Sequence, residues 1–275
     1  MKYFLFSLFY FLFCSSAEVK SANIESIISF GDSLLSKGDY FNALNEYRRA
    51  YFFAESGLKN HLGGKIASCY LILNDFKMAR SFYDSVIYYS KNDGQRINCE
   101  FQKILCFMKE DNFGYALLKL DNLEVENEIQ LQMRKNLYQG ICYFGIGQYD
   151  ESYQHLLNSI SNSDTIRRLQ LKLLYENHKT LRRPDSHVAI ILSAIIPGTG
   201  QFYSGDIKNG LNSLLLLSGI FYLGTIVSSG GLVLIVPLFC RYYLGGIVHA
   251  KQIADKKRDE KKNIYYENLI EILLK

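Results

Sequence analysis

The sequence is poor in the residues and spacings that chemistry requires. Its five histidines, His61, His155, His178, His187 and His249, never stand three or four residues apart, the spacing that sets two ligands on one helix face, and HExxH is absent. That argues against a metal. Of six cysteines no two form CxxC, and the five beyond Cys14 (Cys69, Cys99, Cys106, Cys142, Cys240) are odd in number and scattered, which does not make a disulfide framework. No GxSxG is present, and the glycine-rich GTGQ beginning at Gly198 lacks the GK[ST] ending of a phosphate loop, so neither a hydrolase nucleophile nor a nucleotide cradle is expected. A formal charge of +4 is too small to argue for nucleic acid. With no catalytic constellation, no cofactor and no metal expected, the chain does not read as an enzyme.

What is there is apolar: 48% of the 275 residues are hydrophobic, and they concentrate at the two ends. Met1 to Phe13 carries one early lysine, Lys2, and an apolar run from Tyr3 to Phe13; small residues come next, with Ser15 and Ala17 placed for signal peptidase. Residues 1–17 are therefore expected to be a secretory signal peptide. Acylation at Cys14 and an uncleaved anchor are the alternatives, and all three export the chain beyond residue 17.

Between the apolar ends the chain repeats itself. GDYFNALNEYRRAY starts at Gly38, NDFKMARSFYDSVI at Asn74, DNFGYALLKLDNLE at Asp111 and GQYDESYQHLLNSI at Gly147, so successive starts are 36, 37 and 36 residues apart. A period of this size means stacked helical hairpins. Small residues mark where paired helices cross: Gly31, Ala67 and Gly140 in the first helices, with Ile104 as the misfit, and Ala43, Ala79, Ala116 and Ser152 in the second. Large residues fill the wedge between hairpins at Leu34, Tyr70, Phe107 and Tyr143, and at Tyr40, Phe76, Phe113 and Tyr149. These positions resemble the tetratricopeptide repeat over about residues 24–161, although the tryptophan and terminal proline of that pattern are missing. Cys69, Cys106 and Cys142 recur two residues after the crossing position, where the resemblance calls for alanine; they read as core packing.

The resemblance implies an all-α solenoid over 24–181: four repeats, then a capping helix from Asp164 to Leu181. It also implies a concave face that holds a protein or peptide partner. Leu71, Ile72, Phe101, Leu105, Met108, Leu137, Ile141 and Phe144 are expected to line that groove. The capping helix or the membrane region is the alternative occupant.

After a break at Arg182 to Asp185, residues 187–250 read as membrane. His187 to Ile196 is too short to span a bilayer, whereas Leu211 to Val227 and Gly231 to Ala250 have the length for a hairpin joined through Ser228 and Ser229. The connecting stretch, PGTGQFYSGDIKNG, breaks the helix with proline and glycines; Gln201, Tyr203, Ser204 and Asp206 are expected to satisfy the freed amides, and a new helix to begin near Ile207. Pro197, Gly198, Gly200, Gln201, Phe202, Tyr203, Gly205 and Gly210 resemble the motif of small two-helix membrane domains of the TM2 type. That resemblance says nothing about activity.

Arg241, inside the second apolar stretch, either pairs within the bundle (with Asp206, Gln201 or a carbonyl), snorkels to the interface, or marks a lipid or substrate contact. Residues 251–275 form a basic tail, with Tyr265, Leu269, Ile272 and Leu273 on one face of a short amphipathic helix that lies on the membrane or docks on the bundle. If His187 to Tyr203 crosses, the tail is cytoplasmic; if it is re-entrant, the tail stays on the exported side. The whole reads as a membrane-anchored scaffold of a bacterial inner membrane with its repeats exported, or else as a factor whose hairpin handles lipid or a translocating chain.

Overall fold

The computed structural model describes residues 24–125, 128–226 and 232–274; the expected signal peptide and the Ser228 to Gly231 link lie outside them. Among the described residues every regular element is helical, in keeping with an all-α class. The chain forms two compact units that divide between Ser159 and Ile160.

The first unit contains α1 (24–36), α2 (Tyr40–Phe53), α3 (Ser56–Ile72), α4 (Phe76–Tyr89), α5 (Asp93–Lys109), α6 (Phe113–Asp121), α7 (Ile129–Gly145) and α8 (Tyr149–Ser159). The second helices of the pairs open at Tyr40, Phe76, Phe113 and Tyr149, which reproduces the period of the sequence. One turn geometry joins every pair. Gly38, Asn74, Asp111 and Gly147 adopt left-handed φ of 79°, 62°, 57° and 81°. The following amide then reaches back over the turn: Asp39 donates to the Leu34 carbonyl, Asp75 to Tyr70, Asn112 to Phe107 and Gln148 to Tyr143, at 2.9–3.0 Å. This closure satisfies carbonyls that a helix end leaves free. Asp39 and Asp75 next accept from the amides of Asn42 and Met78, caps worth about 1 kcal/mol each.

Close crossings depend on the small residues. A Cβ on Gly31 would stand 2.8 Å from the Tyr47 ring, and one on Gly140 would stand 2.5 Å from Leu156. Ala43, Ala67, Ala79, Ala116 and Ser152 are wholly buried, and Ser152 Oγ also donates to the Gly140 carbonyl at 2.8 Å. Neighbouring first helices are tied as well. Arg134 of α7 donates to Asn98 of α5 at 2.9 Å while its guanidinium lies over Phe101, 4.5 Å from the ring centre.

Cys69, Cys106 and Cys142 are fully buried, which is the core role their spacing suggests. Burial pushes their thiols up to about 11, 11 and 12. Cys240, by contrast, is exposed.

The second unit begins with α9 (Thr165–Tyr175), capped by Asp164, and a 3-10 turn from His178 to Arg182. It continues through α10 (Ser186–Ile195), α11 (Thr199–Tyr203), α12 (Ile207–Ile226) and α13 (Leu232–Leu274). Two expectations change here. The stretch from Asp164 to Leu181 is not one helix, and it belongs to this unit, where α9 packs on α13: Tyr265 donates to the Leu174 carbonyl at 3.0 Å, and its ring meets Tyr175 edge-on at 5.6 Å. Nor is the basic tail a separate element. No glycine or proline occurs between Gly246 and Leu274, so α13, which already contains Pro237, continues past Ala250 to a length of 43 residues, roughly 65 Å, and Leu269 is buried.

Two predictions test these features. Replacing Asn74 or Asp111 with glycine should stabilise the chain by about 0.5–1 kcal/mol, and Gly38→Ala or Gly147→Ala should destabilise it by about 1–2 kcal/mol, read from urea melts of the α1–α8 signal. In a maleimide time course at pH 8, Cys69, Cys106 and Cys142 should label only in denaturant.

Candidate functional site

The broken stretch between α10 and α12 is the most constrained part of the second unit. Gly198 takes φ of 94°, and a Cβ there would fall 2.3 Å from the Gly210 carbonyl oxygen. At Gly200 a Cβ would fall 2.0 Å from the Ala189 carbonyl oxygen and 2.4 Å from Ser193 Oγ. A side chain at either position pushes α11 off its neighbours. Gly210 in turn leaves room for the Phe202 ring, 2.8 Å from its notional Cβ.

Inside this corner lies Gln201, with no solvent-accessible surface. Its Oε1 accepts from Ser193 of α10 at 3.1 Å; its Nε2 donates to the Gly246 carbonyl of α13 at 3.0 Å and to Ser213 Oγ of α12 at 3.4 Å. One amide thus joins the three helices around it. Ser193 Oγ also accepts from the Gly200 amide at 3.1 Å, so the freed backbone and the buried side chain are satisfied by one network.

The other expected residues divide by role. Asp206 does cap a new helix, accepting from the Asn209 amide at 3.1 Å. Tyr203 accepts from the Asp185 amide at 3.2 Å, a donor outside the broken stretch, and Ser204 donates to the Gly200 carbonyl at 2.9 Å, so it serves an acceptor and no amide. Pro197 and Phe202 are half-buried. Ser193 and Ser213 were not singled out from the sequence, yet both contribute, as do the Gly246 carbonyl and Lys257, which donates to the Gly205 carbonyl at 3.1 Å. The two serines are polar residues inside apolar stretches, and that was the available signal.

These contacts define directions. The Tyr203–Asp185 bond brings the two ends of the α10–α11 pair together, so this short segment enters and returns at one end of the unit. Along α12 and α13, Gly224 lies against Ile235, and Gln201 links Ser213 to Gly246, so the two helices are antiparallel. The small core of Ala189, Ala250 and Ala254 seats α10 on α13, and Tyr243 donates to the Ala194 carbonyl.

Arg241 is exposed and lines a crevice of about 340 Å³ with Ser213, Leu216, Leu217, Tyr242, Gly245, Gly246 and His249. Neither side-chain partner expected for it is in use there, since Gln201 is engaged with the three helices and Asp206 holds Asn209. One helix among the described residues, α12, is long and apolar enough to cross a membrane, with 17% of its apolar window buried.

The groove expected on the first unit is corrected in part. Phe101, Met108 and Phe144 are core residues, 0%, 8% and 4% exposed; Phe101 packs edge-on against Tyr138 and Phe144 tilts onto Tyr149. Leu105 and Ile141 pack partly buried on the core that holds Phe101, and Leu71 on the one around Tyr83. Leu137 is half-buried and Ile72 is exposed. The repeat period placed these residues on the right helices but misjudged which face they turn inward.

No family model matches this chain, and neither a curated protein nor a solved structure matches it at a significant level.

Gln201→Leu removes a satisfied amide and strands Ser193, Ser213 and the Gly246 carbonyl, so it should cost about 1–3 kcal/mol in the unfolding of the second unit. Gly200→Ala should do at least as much through its clash, whereas Gly219→Ala, whose Cβ meets nothing, should be near neutral. Thermal melts in detergent, monitored by fluorescence of a dye placed on α13, check the ranking.

Proposed function

We propose that the chain is a membrane-anchored bacterial scaffold: the first unit is a tetratricopeptide-like solenoid that holds a protein or peptide partner at the cell envelope, and the second unit is its anchor in the inner membrane. The observation that carries this reading is the surface of α12. Leu215, Phe221, Leu223 and Ile226 are each more than half exposed along one apolar helix, a surface that water does not tolerate and lipid does. The uniform hairpins of the first unit support the scaffold half, because the resemblance they carry is to a fold that presents a partner groove.

The geometry suggests a topology. A re-entrant α10–α11 and two crossings by α12 and α13 leave the chain before Ser186 and the basic tail on one side. Export through residues 1–17 makes that side periplasmic. Lysines there run against the positive-inside bias. Lys257 and Lys261 nevertheless have a structural use, donating to the Gly205 and Arg183 carbonyls.

A second reading, in which the hairpin domain handles lipid or an inserting polypeptide, draws on Arg241, a charge set among apolar residues. The test is a strain lacking the protein, complemented with a chain whose residues 160–275 are replaced by an unrelated anchor. The scaffold reading expects full rescue by that chimera, and loss of rescue when Ile72→Glu and Leu137→Glu are added without change in abundance. A chimera that is abundant and membrane-bound but fails to rescue rejects a pure tether in favour of the second reading.

A further inference from the structure

The crevice beside Arg241 has a composition that the anchor role alone does not require. Its lining holds one guanidinium, one imidazole and two hydroxyls (Arg241, His249, Ser213 and Tyr242) and no carboxylate, with Leu216, Leu217 and the Tyr242 ring as the apolar wall. Among the described residues Arg241 has neither a hydrogen bond nor an ion pair. Antiparallel pairing sets it opposite about Leu217 of α12, some ten residues from the Asp206 corner, roughly 15 Å along the helix. A full positive charge at that depth in a bilayer is costly unless it is paired or reaches the interface, and an anion in the crevice would supply the pair. His249 also lines a second crevice of about 380 Å³, together with Asp206, Asn209, Gln252, Lys256, Lys257 and Glu260. Glycine makes the space: a Cβ on Gly245 meets nothing within 4 Å.

We infer that the crevice between α12 and α13 binds one anionic phospholipid, its phosphate held by Arg241 with Ser213 and His249 beside it and an acyl chain along Leu216, Leu217 and Tyr242. The inference rests on the reading of the second unit as a membrane anchor. A phosphate ester suits the cationic, donor-rich end of the crevice, the acyl chain suits the apolar wall, and the bilayer around α12 supplies both in one molecule.

Native mass spectrometry of the full chain in neutral detergent tests it, with titration by phosphatidylglycerol, by phosphatidylcholine of the same acyl chains, and by inorganic phosphate. The expected result is one retained phosphatidylglycerol, favoured at least tenfold over phosphatidylcholine, with no matching adduct of phosphate alone. Arg241→Gln and Gly245→Leu should each weaken retention at least fivefold, the first by removing the charge and the second by filling the space; Lys251→Gln should leave it unchanged. Helicity decides which variants count, and Gly245→Leu, whose Cβ meets no atom within 4 Å, decides alone if Arg241→Gln does not fold. Equal retention of the two lipids, wild-type retention by the folded variants, or an equal adduct of inorganic phosphate overturns the site. Carbonate extraction separates the two ideas: a chain that stays in the membrane pellet but shows no preference loses the site and keeps the anchor, whereas a chain that carbonate releases loses both.

Discussion

The second unit depends on one buried amide. Gln201 has no water to turn to, so its oxygen and nitrogen must find partners within the protein, and those available lie on three different helices. Each partner is useful only if its helix stands at hydrogen-bond distance, and standing there requires that no side chain intervene. The glycines at 198, 200 and 210 are the other half of the same constraint, since their absent Cβ atoms are where neighbouring backbone and the Phe202 ring sit. The proline and glycines that break the helix, the serines within apolar stretches and the single glutamine thus form one device that holds a short helix against two long ones.

The first unit is held differently. Its order comes from a local closure repeated four times, and each closure spans only a few residues of chain. Two of the four left-handed positions are glycine and two are Asn74 and Asp111, the residue types that accept that conformation at least cost. Nothing in this arrangement has to wait for a distant partner, in contrast with Gln201, whose link to Gly246 crosses 45 residues.

That difference explains what could be read from the sequence. The hairpin period, the starts of the second helices and the buried cysteines were legible because each is set by neighbours in the chain. The helix beginning at Ile207 was legible for the same reason. The roles of Gln201, Ser193 and Ser213 were not, because a side chain among apolar residues shows that it must be satisfied without showing by whom. The inward face of α5 and α7 was misjudged at Phe101, Met108 and Phe144 because those helices are apolar on more than one side, and a period alone does not choose between sides. The division at Ala250 failed for a simpler reason: a change from apolar to charged residues alters what surrounds a helix and does not end it.

The length of α13 bears on how the molecule is made. It is the last described element in chain order, yet α9, α10, α11 and α12 all pack on it. As the chain leaves the ribosome, the hairpins up to Ser159 can close one after another. The pairings of α10, α11 and α12 with one another can form at once, but the contacts that α13 supplies to them and to α9 wait until the final helix arrives. For that interval the Gln201 amide lacks the Gly246 carbonyl it donates to, so the second unit passes through its most aggregation-prone state late in synthesis.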